Sequence, residues 1–147
     1  MNPYASSVSR EGGASRHKLQ YRILEGKHAI CKLAPATPIP DWAEQPAGLV
    51  SITRTEVELS IVCPEANIPS DVKAATGWVC FRLEGPFPFT QTGILTSFIG
   101  PLSSHAVPIF VVSTFDTDYV LVPEEYVSEA SRLLSEAGHE LILNDIP

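Results

Sequence analysis

Between Trp78 and Leu143 the hydrophobic period switches between two and ~3.6 in the order strand, helix, strand, strand, helix, strand, and few folds accommodate that order. Val79, Phe81 and Leu83 share one face of a strand that Gly85 and Pro86 end. A helix follows, with Ile94, Leu95, Phe98, Ile99, Leu102 and Ala106 as its buried stripe and Thr90 or Thr92 as N-cap. Pro101 lies inside it and predicts a bend. VPIFVVS and YVLV are near-continuous apolar strands joined by the acidic turn Thr114-Phe115-Asp116-Thr117-Asp118. The clearest helix is PEEYVSEASRLLSEAG, with Pro123 at N1, Glu124 and Glu125 at the positive end of the dipole and Gly138 at C′. HELIL closes the unit. Right-handed crossovers fold this order into a four-stranded antiparallel sheet with both helices on one face, an α+β, ferredoxin-like βαββαβ plan over residues 77–143.

Residues 19–70 are less regular. QYRILEGKHAICKL reads as a hairpin around Glu25 and Gly26, and LVSIT and VELSIVC as two further strands, the second with Val57, Leu59, Ile61 and Cys63 on one face. Between them Pro35, Pro38, Pro40 and Pro46 forbid a long helix and leave one short turn near Pro40 to Glu44. Residues 1–18 are poor in aliphatic side chains and read as a mobile tail.

The 17 acidic residues outnumber 10 Lys and Arg, a balance that repels a phosphate backbone and sets nucleic acid aside as a partner. No stretch has the apolar length of a signal peptide or a membrane span, and Cys31, Cys63 and Cys80 show no CxxC spacing, so a reducing cytosol is expected.

Laid on itself at an offset of 59 residues, the chain aligns Leu24-Glu25-Gly26 with Leu83-Glu84-Gly85, Thr55 with Thr114, and Pro64-Glu65 with Pro123-Glu124. Either the halves are duplicates, with the first eroded where Pro35 to Pro46 replaces a helix, or two strand-rich segments coincide by chance.

The run PIFVVSTFDTDYVLVPEEYVSEA, with TGIL before it, resembles the ACT-domain branch found in small bacterial tandem-ACT proteins, cytosolic arginine sensors and aspartate kinase regulatory regions. SITRTEVELSIVCPE is similar to the preceding, degenerate ACT-like half of the same small proteins. The resemblance implies an amino acid or similar small ligand held where two ACT units meet. The positions are Gln91, Thr92, Gly93 and Ile94 at the helix start, and Ser113, Thr114, Phe115, Asp116, Thr117 and Asp118 at the hairpin turn. Because the arginine sensors carry more ACT units than this chain can hold, either a homodimer completes the site, as expected here, or the site has been lost.

The chemistry suits a free amino acid. A helix start offers backbone N–H groups to its carboxylate, Gly93 allows close approach, Asp116 and Asp118 can hold an ammonium, and Thr114 and Thr117 supply hydroxyls. The plainer alternative is that Asp and Thr serve the turn itself. Phe115 reads as a lid or as a plug in a subunit interface. Trp78 is placed on the helix-free face, as a point of association between sheets. No GxSxG, HExxH, P-loop or GxGxxG occurs, the four histidines lack partners at motif spacing, and no cofactor, metal or catalytic residue is expected. Cys80 is drawn as a buried strand thiol in preference to a nucleophile. The contrasting reading is a structural module with a vestigial site that pairs through its sheet.

Overall fold

The computed structural model describes residues 17–45 and 47–143; most of the expected tail lies outside them. Among the described residues, one eight-stranded sheet carries two helices and three short 3-10 turns. Its strands are β1 (Gln20–Ile23), β2 (His28–Leu33), β3 (Ser51–Arg54), β4 (Leu59–Pro64), β5 (Ala74–Leu83), β6 (Phe110–Ser113), β7 (Asp118–Pro123) and β8 (Glu140–Leu141). The helices are α1 (Ile94–Ser103) and α2 (Val127–Glu136). None of the described helices is long and apolar enough to cross a membrane.

β1 and β2 do not form the expected hairpin. They lie one after the other along a single edge of β5, both antiparallel to it, with Ile23 opposite Phe81 and His28 opposite Trp78. The bend at Glu25 and Gly26 (φ 77°) is thus a break in one long strand, and Leu24 N keeps the ladder by donating to Cys80 O at 2.9 Å. A two-period pattern fixes the face of a side chain but not the strand it pairs with.

Each half is completed by the other. β6, β7 and the end of β5 are joined by β1, while β3, β4 and β2 are joined by the start of β5. Both four-strand units follow the ferredoxin-like order, with the fourth strand exchanged. The segment HELIL, expected as that fourth strand, contributes only the two residues of β8, which pair in parallel with β1 outside the unit.

β3 and β4 precede β6 and β7 by 59 residues, and the turn Glu65–Asn67 precedes Glu124–Tyr126 by the same interval. The first strands follow another spacing: His28 faces Pro64 as Trp78 faces Pro123, an interval of 50. The structural counterpart of Leu83 is therefore Leu33, and Leu24-Glu25-Gly26 is not the counterpart of Leu83-Glu84-Gly85. The difference arises between first and second strands, where the second unit has α1 and the first has only the 3-10 turn Asp41–Glu44.

Three apolar clusters hold the sheet. Beneath α1 and α2, Tyr21, Phe81, Leu83, Val120 and Val122 pack against Phe98, Leu102, Ala130 and Leu134. On the same face of the first unit, Cys31, Leu59, Ile61 and Cys63 are covered by Ala43, Trp42, Ile68 and Val72 in place of helices. The helix-free face gathers Leu49, Val62, Cys80 and Leu121, with Trp78 and Phe110 beside them. Trp78 lies half-buried on this face, as its place in the strand predicts, and meets Phe110 edge-on at 6.4 Å. Val57, expected to face inward, sits in the β3–β4 turn and is 72% exposed.

Candidate functional site

The chain leaving β5 runs directly against the β6–β7 turn. Phe87 N donates to the Asp116 carbonyl at 2.8 Å, and a Cβ on Gly85 would stand 2.8 Å from that same oxygen, so glycine allows the approach. The Thr117 hydroxyl donates to Leu83 O at 2.8 Å, tying the turn to the end of β5. α1 then begins at Gly93, which has φ 80° and is the N-cap in place of the expected Thr90 or Thr92. Among the described residues no side chain caps this helix end, and its first internal bond runs from Ser97 N to Gly93 O at 3.0 Å. The amides of Ile94, Leu95 and Thr96 precede that bond, at the positive end of the dipole.

Loop, helix start and turn enclose a cleft of ≈350 Å³. Gln91, Gly93 and Ile94 line one side, and Ser113, Thr114, Phe115, Asp116, Thr117 and Asp118 line the other. Thr92 was expected among them but does not line it; its carbonyl accepts from His17 Nε2 at 3.1 Å. Phe87, Pro88, Phe89 and Thr96 also line the cleft without having been singled out from the sequence, as does Leu95, which was expected only in the buried stripe of the helix. The signal available for three of them was the alternation of proline and phenylalanine in GPFPF, which stiffens a loop while leaving aromatic side chains to pack.

The polar groups divide into two kinds. Thr114 Oγ1 donates to Thr117 O at 3.0 Å and accepts from Thr117 N at 3.3 Å, so this hydroxyl builds the turn. Ser113 donates its hydroxyl to Asp118 Oδ1, which orients that carboxylate. Asp116 and Asp118 supply anionic acceptors on one wall, and the start of α1 supplies partial positive charge on the other. At the rim, Phe115 and Phe89 meet edge to face at 4.9 Å, and they are 78% and 74% exposed.

The cysteines lie elsewhere. Burial pushes the Cys80 thiol up to about 12 and the Cys63 thiol to about 11, so both stay protonated and poorly nucleophilic at neutral pH. Among the described residues no group of His, Cys, Asp and Glu is arranged to hold a metal ion.

Two ferredoxin-like units with exchanged fourth strands, one carrying a cleft at its first helix, define a tandem α+β sandwich. The chain carries an ACT domain in its second half. An ACT-domain family model matches residues 73–136, and a model for the N-terminal domain of a second family matches residues 26–71. The crystal structure of protein Atu0741 from Agrobacterium tumefaciens is 46% identical with a TM-score of 0.82, covering 88% of this chain and 96% of that one. The regulatory subunit of aspartate kinase from Thermus thermophilus shares the fold alone, at 11% identity and a TM-score of 0.53 over 78% of this chain and 93% of that one. Subunit 1 of the cytosolic arginine sensor for mTORC1 from Rattus norvegicus is 33% identical over 86 residues, 55% of this chain and 26% of that protein. The chain therefore spans about a quarter of the length of the curated relatives it matches.

Proposed function

We propose that the chain is a non-catalytic regulatory module whose cleft binds a free amino acid and whose open side is completed by a second copy. The observation that carries this is the convergence of the α1 start and the Asp116–Asp118 turn on one cleft. A zwitterion matches that polarity: its carboxylate suits the amides of the first helical turn, and its ammonium or a basic side chain suits Asp116 and Asp118. The relatives support the reading, since one carries the name of an arginine sensor and another that of a regulatory subunit. Phe89 and Phe115, exposed at the rim, supply the apolar contact for the second copy. The three free, buried cysteines suit a reducing compartment such as the cytosol.

Thermal denaturation in the presence of each of the twenty amino acids tests this. A ligand at 100 times its dissociation constant stabilises the fold by about 2.7 kcal/mol, and Asp118→Asn is expected to shrink the response. No shift with any amino acid at millimolar concentration would remove the reading. The exposed aromatic pair also favours a second reading, an interaction module with a vestigial cleft. A tight dimer by light scattering, indifferent to every amino acid, would select it.

A further inference from the structure

The turn that walls the cleft, between β6 and β7, has a counterpart between β3 and β4, 59 residues earlier. Arg54 faces Leu59 as Ser113 faces Asp118, and the turns between are built alike. Thr55 N donates to Glu58 O at 2.8 Å, and Thr114 N to Thr117 O at 2.8 Å. By the register of the first strands, the chain leaving β2 at Pro35 and Thr37 corresponds to the chain leaving β5 at Gly85 and Phe87. In the second unit Ser113 and Phe87 line the open cleft. In the first unit the side chain of Arg54 spans the same two walls: Nη1 donates to Pro35 O, and Nη2 donates to Thr37 O at 2.9 Å.

We infer that the first unit contains a counterpart of the cleft that the chain fills with its own Arg54, and that this site, once vacated, takes a small guanidinium cation. The term ligand cleft rests on the function proposed above, whereas the filling rests on the contacts themselves. A guanidinium is a planar fork of N–H donors with no acceptor, and here two main-chain carbonyls receive it. Their spacing is set by the turn in which Thr37 N donates to Ala34 O at 3.0 Å. Val57 and Leu59 stand where the second unit has Asp116 and Asp118, so the two carboxylates of the open cleft have no counterpart. Ser113 is too short to reach across as Arg54 does. Each chain accordingly carries one open cleft and one that is filled from within, and binds one ligand.

Hydrogen exchange of residues 34–45 in Arg54→Ala, with methylguanidinium as the probe, tests the inference. Loss of the clamp is expected to speed exchange about tenfold, the effect of roughly one net charge-assisted hydrogen bond. Millimolar methylguanidinium should restore protection in the variant, leave the unaltered protein unchanged, and act where equal concentrations of methylammonium or sodium chloride do not. Arg54→Lys, which keeps the charge but loses the fork, should also exchange faster than the unaltered protein. Unchanged exchange in Arg54→Ala, or the same response to all three salts, would overturn the inference. Rescue by methylguanidinium upholds the filled site whatever the unaltered protein does with amino acids, so its failure and that of the proposed function are told apart.

Discussion

Pro101 has no N–H to give to the carbonyl of Ser97, one turn back in α1, and a buried carbonyl left alone is costly. His139 supplies the missing donor from outside the helix: Nε2 donates to Ser97 O at 2.8 Å, while Nδ1 accepts from Leu19 N at 3.0 Å. The two bonds fix the tautomer and join α1, the entry to β1 and the exit from α2, with the ring resting on Phe98 at 5.4 Å. His139→Leu is expected to destabilise the fold by about 1–3 kcal/mol. Pro101→Ala restores a donor inside the helix and should recover about 1 kcal/mol of that loss in the double variant, measurable by urea denaturation.

His28 is fully buried, with Nε2 accepting from Leu49 N at 3.0 Å, and burial holds its pKa below the usual histidine value. Below about pH 6.5 the unfolded chain takes up a proton that folded His28 does not, so stability falls with acidification from there down to the lowered folded value. Urea midpoints between pH 7.5 and 5.5 should drop less for His28→Gln, which can accept the same N–H without titrating.

At the scale of elements, the fold turns on β1, which lies between β5 and β8 and closes the unit that carries the cleft. Its Tyr21 is 2% exposed and stacks on Phe81 at 5.5 Å. Removing residues 1–23 should therefore unfold the helix-bearing half, seen as loss of most far-ultraviolet helical signal, although all of α1 and α2 remains in the chain. A truncated chain with unchanged helix content would show that β8 can take over the vacant edge. What could be read from the sequence was local. The body of α2 with Gly138 after it, the apolar strands β6 and β7, and the short turn between the prolines follow from period, capping and proline sterics, but the start of α2 does not: Pro123, expected at N1, ends β7, Glu124 and Glu125 lie in a 3-10 turn, and the α-helix begins at Val127. Which strand closes each unit was not legible, because Tyr21 and Ile23 have the same alternation whether they pair with β2 or with β5. Nor was the N-cap: Thr92 has the favoured side chain, but Gly93 has the backbone freedom that the αL start of α1 requires. Most of the cleft-lining residues were named because the resemblance to ACT domains pointed to the start of the first helix and the turn of the central hairpin. Phe87 and Phe89 were not, because a loop's path depends on distant contacts such as Phe87 N with Asp116 O.

For the molecule as a whole, β5 belongs to both units, so neither half has a complete sheet without the other. A ligand bound as proposed at the β6–β7 turn would lie one strand from β5, through which the first unit is joined. The most direct measurement is amide chemical-shift mapping of the unaltered protein as each amino acid is titrated in. The expected result is a saturable change confined at first to residues 87–96 and 113–118 for at least one amino acid. Saturable changes that fall elsewhere and leave Gly93 and Asp118 unmoved, or no change with any amino acid, would contradict it.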